Sequence, residues 1–78
     1  MYNEIQFFLR KGDKYIELYK LLKATNLAYS GAEAKQIISN GLIKVDGKVE
    51  TQKGKKISVL QEVVIDKTKI KVHSDNSN

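Results

Sequence analysis

The chain has 78 residues and no cysteine, and its fourteen Lys and Arg against nine Asp and Glu leave a formal net charge of +5. That length implies one domain, spanning 1–78, whose core supplies roughly a few kcal/mol, and it leaves no room for a large active-site cleft. Disulfides and thiolate metal sites are excluded, and no apolar run approaches the roughly 20 residues of a membrane-spanning helix, so a soluble, cytoplasmic protein is expected.

Met1 to Leu9 reads as a short strand with Ile5 and Phe7 on one face, and Glu4 and Arg10 around Phe7-Phe8-Leu9 do not form a signal-peptide layout. Lys11-Gly12-Asp13 ends the strand. Asp13 is placed to N-cap a first helix over about Lys14 to Thr25, with Ile16, Leu18, Leu21 and Leu22 as its buried stripe and Glu17, Lys20 and Lys23 in solvent. Tyr15 and Tyr19 then read as rim and core packing of that helix. Asn26 tolerates the left-handed conformation and serves as the stop.

Ser30-x-x-Glu33 is a capping box: the serine oxygen accepts from the N3 amide and the glutamate reaches back to the N-cap amide. It starts a second helix whose apolar stripe is Ala34, Ile37 and Ile38, and Asn40-Gly41 stops it. Tyr29, just before the cap, suits either stacking on an unpaired base or stapling against Ala34. Asp46-Gly47 between Val45 and Lys48 is the signature of a two-residue type I′ hairpin. Glu50 to Lys56 reads as an exposed basic loop, after which Ile57, Val59 and Leu60 resume burial. Two more strands, Glu62 to Asp66 and Lys69 to Val72, flank a turn at Lys67-Thr68, and residues 73–78, including His73, form a frayed polar tail. The fold class is therefore α+β, two packed helices on a small antiparallel sheet.

The charge is local. Between Lys35 and Lys56 six lysines face only Asp46 and Glu50, an excess of +4 in a chain otherwise close to balanced. Such a surface suits a polyanion, although lysines also serve solubility. Catalysis fails on inventory: Ser30 has no neighbouring histidine in sequence, no metal-ligand cluster is spaced for binding, and Lys53-Gly54-Lys55-Lys56 is a poor match to a phosphate-binding glycine loop. No enzyme activity, cofactor, metal or small-molecule substrate is expected.

The run Ser30-Gly31-Ala32-Glu33-Ala34-Lys35, followed by Gly41-Leu42-Ile43-Lys44-Val45-Asp46-Gly47, resembles the alpha-L RNA-binding motif, the S-four domain family, in its stand-alone single-domain form. The resemblance covers about residues 15–65. Gly31 stands where the family usually has arginine, Glu17 where it has a basic residue, and Gln61-Glu62 where it has Gly-Asp. Small stand-alone members are more similar, with Ser-Gly at the cap and a basic Lys53-x-Lys55-Lys56 loop. The family packs a helix pair on a small antiparallel sheet and lays RNA across the second helix, hairpin and loop.

On this chain the resemblance implies an RNA-binding set of Tyr29, Ser30, Lys35, Lys44, Lys48, Lys53, Lys55 and Lys56. The expected partner is structured RNA, with ribosomal RNA or a ribosome precursor the expected target in a bacterial-type protein, and the chain monomeric and away from membranes. The competing reading is a protein-interaction adaptor that offers strand Glu4 to Leu9 or Lys69 to Val72 as a sheet edge.

Overall fold

A computed structural model describes residues 3–75. Alternating apolar residues generate the larger sheet. It comprises β1 (Asn3–Phe8), β3 (Ile43–Val45), β4 (Lys48–Val49), β6 (Glu62–Ile65) and β7 (Thr68–His73), numbered in chain order around a short β2 (Tyr15–Glu17) and β5 (Lys56–Ser58). The order across this sheet is β1-β7-β6-β3-β4, while β2 and β5 form a separate two-stranded ladder. All pairings are antiparallel except β1 with β7, which is parallel, so the sheet is mixed where an antiparallel one was expected.

Two helices, α1 (Leu18–Ala24) and α2 (Gly31–Ser39), cover one face. Leu18, Leu21 and Leu22 of α1 and Ala34 and Ile38 of α2 are fully buried against Ile43, Val63, Ile70 and Val72, and Ile57 joins them from β5. Ile37 is half-buried at the margin. The opposite face of the sheet carries the alternate residues, among them Lys44, Glu62, Lys69 and Lys71. Glu62 pairs there with both Lys69 and Lys71 at 3.7 Å.

The first helix begins later than the periodicity predicts. Residues Tyr15 to Glu17 are extended and pair with β5, Ile16 opposite Ile57, so Asp13 caps nothing. Glu17, the actual N-cap residue, offers no side-chain bond. The backbone carbonyls of Lys55 and Lys53 instead accept from the amides of Leu18 (2.8 Å) and Tyr19 (3.2 Å), taking over the cap's task from a loop far away in sequence. The helix ends as expected: Asn26 adopts φ 62, its amide donates to Lys23 and that of Leu27 to Leu22, a Schellman arrangement.

Ser30 Oγ accepts from the Glu33 amide at 3.1 Å, and Glu33 Oε1 accepts from the Tyr29 amide at 2.7 Å, one residue earlier than a strict capping box predicts. Gly41 ends α2 at φ 75. Asp46 (φ 51) and Gly47 (φ 85) make the hairpin turn with two positive φ angles, as type I′ requires.

Three C-terminal expectations change. The β6–β7 turn falls on Asp66-Lys67, with Asp66 at φ 52, rather than on Lys67-Thr68. Leu60 is not buried: it sits in a turn at φ 74 with its side chain 75% exposed. His73 is not frayed either. It closes β7, its ring stacks on Phe8 with centroids 4.9 Å apart, and its Nε2 is hydrogen-bonded to Gln6 Oε1. Residues 76–78 of the expected tail and the first two residues of the expected strand lie outside the described residues. Of the two candidate edge strands, β7 is internal, flanked by β1 and β6, and only β1 lies at an edge.

Asp46 has a second role beyond its turn. Its Oδ1 accepts from the Glu62 amide and its Oδ2 from Gln61 Nε2, both at 3.0 Å, clamping the hairpin to the start of β6. The Glu62 amide first, then Gln61, and also the positive charge of Lys55 hold this carboxyl below its ordinary pKa. A carboxylate with a lowered folded-state pKa stabilises the fold above its unfolded value, and that stabilisation disappears as pH falls through the folded value. Asp46→Asn should therefore be less stable than the parent at neutral pH but lose less further stability below the ordinary value of 3.8. Denaturant unfolding across an acid pH series measures the difference, and parallel pH dependences for the two proteins would refute the clamp.

Candidate nucleic-acid interface

The β2–β5 ladder and the α1 N-terminus bring two tyrosines under the lysines of other elements. Lys56, on β5, holds its Nζ 5.0 Å from the ring centroid of Tyr15, on β2. Lys35, from the middle of α2, holds its Nζ 4.8 Å from the ring of Tyr19, and Lys20 lies 5.9 Å from the same ring. Cation–π attraction of this kind restrains a flexible ammonium without removing it from water. The backbone of Lys53 is pinned beside Tyr19 by the bond to its amide. Lys35 and Lys56, distant in sequence, thus each lie over a tyrosine of the β2–α1 segment, and the Lys53 backbone is bonded to the second of these tyrosines.

On the α2 side the approach is made by Gly31, without requiring a glycine there. A Cβ built there would meet the Tyr19 ring at 3.8 Å, ordinary van der Waals contact, so the first turn of α2 lies directly against the ring edge. On the other flank, Gly54 lies 3.4 Å from Glu17 Oε2 by the same construction. Glu17 also pairs with Lys20 at 3.2 Å, and this bond, followed by the charge environment of Tyr19, raises the lysine's pKa.

The remaining expected site residues are distributed differently. Lys55 is half-buried and turned toward the hairpin, where its charge acts on Asp46. Lys48 is exposed on edge strand β4 and shares the row of Val45 and Val63, on the helix side of the sheet. Lys44 is exposed on the other face, opposite Val49 and Val64, and so does not join the cluster. Tyr29 is 95% exposed and cannot be a staple against Ala34. Ser30 lies beside it with its oxygen engaged in the cap, and its hydroxyl proton remains for an acceptor.

None of these six lysines forms an ion pair with a carboxylate among the described residues, although the charge of Lys55 acts on Asp46. Tyr15, Tyr19 and Lys20 were not among the residues the sequence singled out for the site. No local pattern could have selected them, because the lysines that cover the rings come from elements that only the tertiary fold brings near. Among the described residues no group of three His, Asp or Glu side chains is placed to hold a metal ion, and no helix is long and apolar enough to cross a membrane.

Residues 9–73 match a family model described as the S4 domain. YbcJ of Escherichia coli (strain K12) and YbcJ of Shigella flexneri are each 49% identical over 49 residues, a stretch that spans 63% of this chain and 70% of theirs. The solution structure of YbcJ from E. coli, reported to reveal an alfaL motif involved in RNA-binding, matches with a TM-score of 0.67 and 41% identity. That match covers 94% of this chain and 91% of that one.

The cap that orients α2, and with it Lys35, carries a measurable load. Ser30→Ala should destabilise the protein by about 1 kcal/mol, which for a domain of this size lowers the melting temperature by roughly 4–8 °C. A thermal melt followed by circular dichroism measures this, and an unchanged midpoint would contradict the capping role.

Proposed function

The chain belongs to the S4 domain family, and from that premise we propose that it is a non-catalytic RNA-binding protein whose contact surface is the lysine and tyrosine cluster formed by β2, β5, α1 and α2. The observation that carries this reading is the placement of the Lys35 and Lys56 ammonium groups 4.8 and 5.0 Å from the rings of Tyr19 and Tyr15. Two restrained cations outside any ion pair, each over a tyrosine of the β2–α1 segment, match a phosphate backbone better than freely solvated lysines do, because less side-chain freedom is lost on binding. Lys53 and Lys48 extend the surface on the helix side of the molecule, and exposed Tyr29 and Ser30 border it at the start of α2.

The chemistry of the cluster favours positioning over sequence readout. Lysine acts as a point charge on phosphate, and the chain has a single arginine, Arg10, to supply a bidentate fork. Structured RNA is the fitting partner, since an A-form helix is recognised mostly through its phosphates, 2′-hydroxyls and shape. Ribosomal RNA or its precursor is the specific target proposed, with the protein acting as a monomer in the cytoplasm. The likeness to YbcJ, whose motif is described as involved in RNA-binding, supports the general part of this reading.

Replacing Lys35, Lys53 and Lys56 together with alanine should weaken binding to a ribosomal RNA hairpin and flatten the log–log salt dependence by about two to three units, at roughly 0.7–0.9 per phosphate. Lys44→Ala should leave both affinity and slope unchanged. Fluorescence anisotropy over a salt series tests this, and a triple variant with the parent's slope would remove the cluster from the interface. Crosslinking in cells and sequencing of the bound RNA tests the target, and recovery dominated by other transcripts would reject the ribosomal assignment.

A further inference from the structure

Beside the lysine and tyrosine cluster runs an open groove of about 1020 Å³, bounded by the end of β1, the connection from Leu9 to Lys14, β2 and α1. Buried Leu9, whose amide donates to the His73 carbonyl at 2.9 Å, anchors one end of that connection. A turn from Arg10 to Asp13 shapes the rim, closed by the Asp13 amide on the Arg10 carbonyl at 2.9 Å with Gly12 at φ 89. The groove is lined by four aromatic residues, Phe7, Phe8, Tyr15 and Tyr19, the Phe8 ring being stacked on His73, and by Arg10, Lys14 and Lys23 in addition to Lys20. Phe8 and Tyr15 are 52% and 43% exposed. The only carboxylates in the lining are Asp13 and Glu17, and Glu17 is engaged by Lys20.

We propose that this groove binds a single-stranded RNA segment that continues from the structured RNA held by the neighbouring lysine and tyrosine cluster. The inference rests on the RNA reading above and deepens it: the favoured ligand is a junction between helix and single strand rather than an uninterrupted duplex. Two observations carry it. Aromatic rings among cations are the composition that holds unpaired nucleotides, with bases stacked on rings and phosphates on ammonium or guanidinium groups. Tyr15 and Tyr19 belong to both features, lining the groove while accepting Lys56 and Lys35 over their rings, so a strand leaving one surface enters the other. A rigid duplex makes poor use of exposed rings, because its bases are stacked on one another.

The test compares an RNA hairpin with a blunt stem against the same hairpin carrying a six-nucleotide single-stranded extension on either end. The parent protein should bind one extended form about tenfold more tightly, within the contribution of a stacked base. The Arg10→Ala, Lys14→Ala, Lys23→Ala variant changes only exposed side chains and should lose that gain while keeping the parent's affinity for the blunt hairpin. Tyr15→Leu, which keeps bulk and removes the ring, should weaken binding of the extended form more than of the blunt one. Equal affinity for blunt and extended hairpins, or a gain that survives the triple substitution, would overturn the groove assignment alone. Binding of neither RNA would overturn it together with the RNA reading. An acidic peptide that displaces the extension as well as an unstructured RNA of equal charge does would reassign the groove to a protein partner.

Discussion

The arrangement of the whole basic surface depends on how one short helix satisfies its first amides. α1 has only seven residues and no side-chain cap, so the amides of Leu18 and Tyr19 would face solvent or go unpaired. They are met by the carbonyls of Lys55 and Lys53. Because these acceptors belong to the backbone, the lysine side chains are not spent on the cap while their chain is fixed against the helix. The adjoining β2–β5 ladder extends the same attachment, setting Glu17 opposite Lys56 and Ile16 opposite Ile57. A loop that would otherwise be a flexible run of charge thereby becomes part of the helix terminus. Positive charge is held close to a helix N-terminus, where it gains nothing from the backbone dipole, so tethering rather than attraction explains its position.

A second constraint is the two-residue period of the strands. Val45, Val63 and Ile70 lie in one row on the covered side of the sheet, and the neighbouring row through Lys44, Val64 and Lys69 lies on the other. A single step along β3 therefore moves a side chain from the helix side to the reverse side. This is why Lys44 parts from Lys35 and Lys48 despite falling in the same basic window. Net charge over a stretch of chain does not indicate a surface until the register is known.

What was legible in the sequence was what short-range chemistry decides. The Ser30 cap, the Asn26 and Gly41 stops and the Asp46-Gly47 turn each rest on residues within a few positions of one another, and each lies where those residues put it. The α+β class followed from them, and the α1 stripe was also correct from Leu18 onward. Its first turn was not, because Tyr15 to Glu17 fit a helical pattern equally well and are decided by pairing with Lys56 to Ser58. β1 lies within the strand expected from Met1 to Leu9, but its parallel pairing with β7 and the place of His73 were out of reach for the same non-local reason: residues at opposite ends of the chain meet in the Phe8 stack. Of the site, the lysines were visible as a list of charges, but their grouping was not. Tyr15 and Tyr19 looked like packing residues because nothing adjacent to them in sequence reveals which cations cover them.

The parallel pairing of β1 with β7 sets Asn3 opposite Thr68, about 65 positions downstream. During translation, at roughly 5–20 residues per second, β1 is made several seconds before the strand it pairs with. The helices and the central hairpins can assemble in that interval through nearer contacts, whereas β1 must wait for the last strand, the high-separation pairing that closes slowest. A nascent chain halted short of β7 would carry an aromatic, unpaired strand on an otherwise formed domain, the kind of exposed edge that chaperones retain and that aggregates recruit.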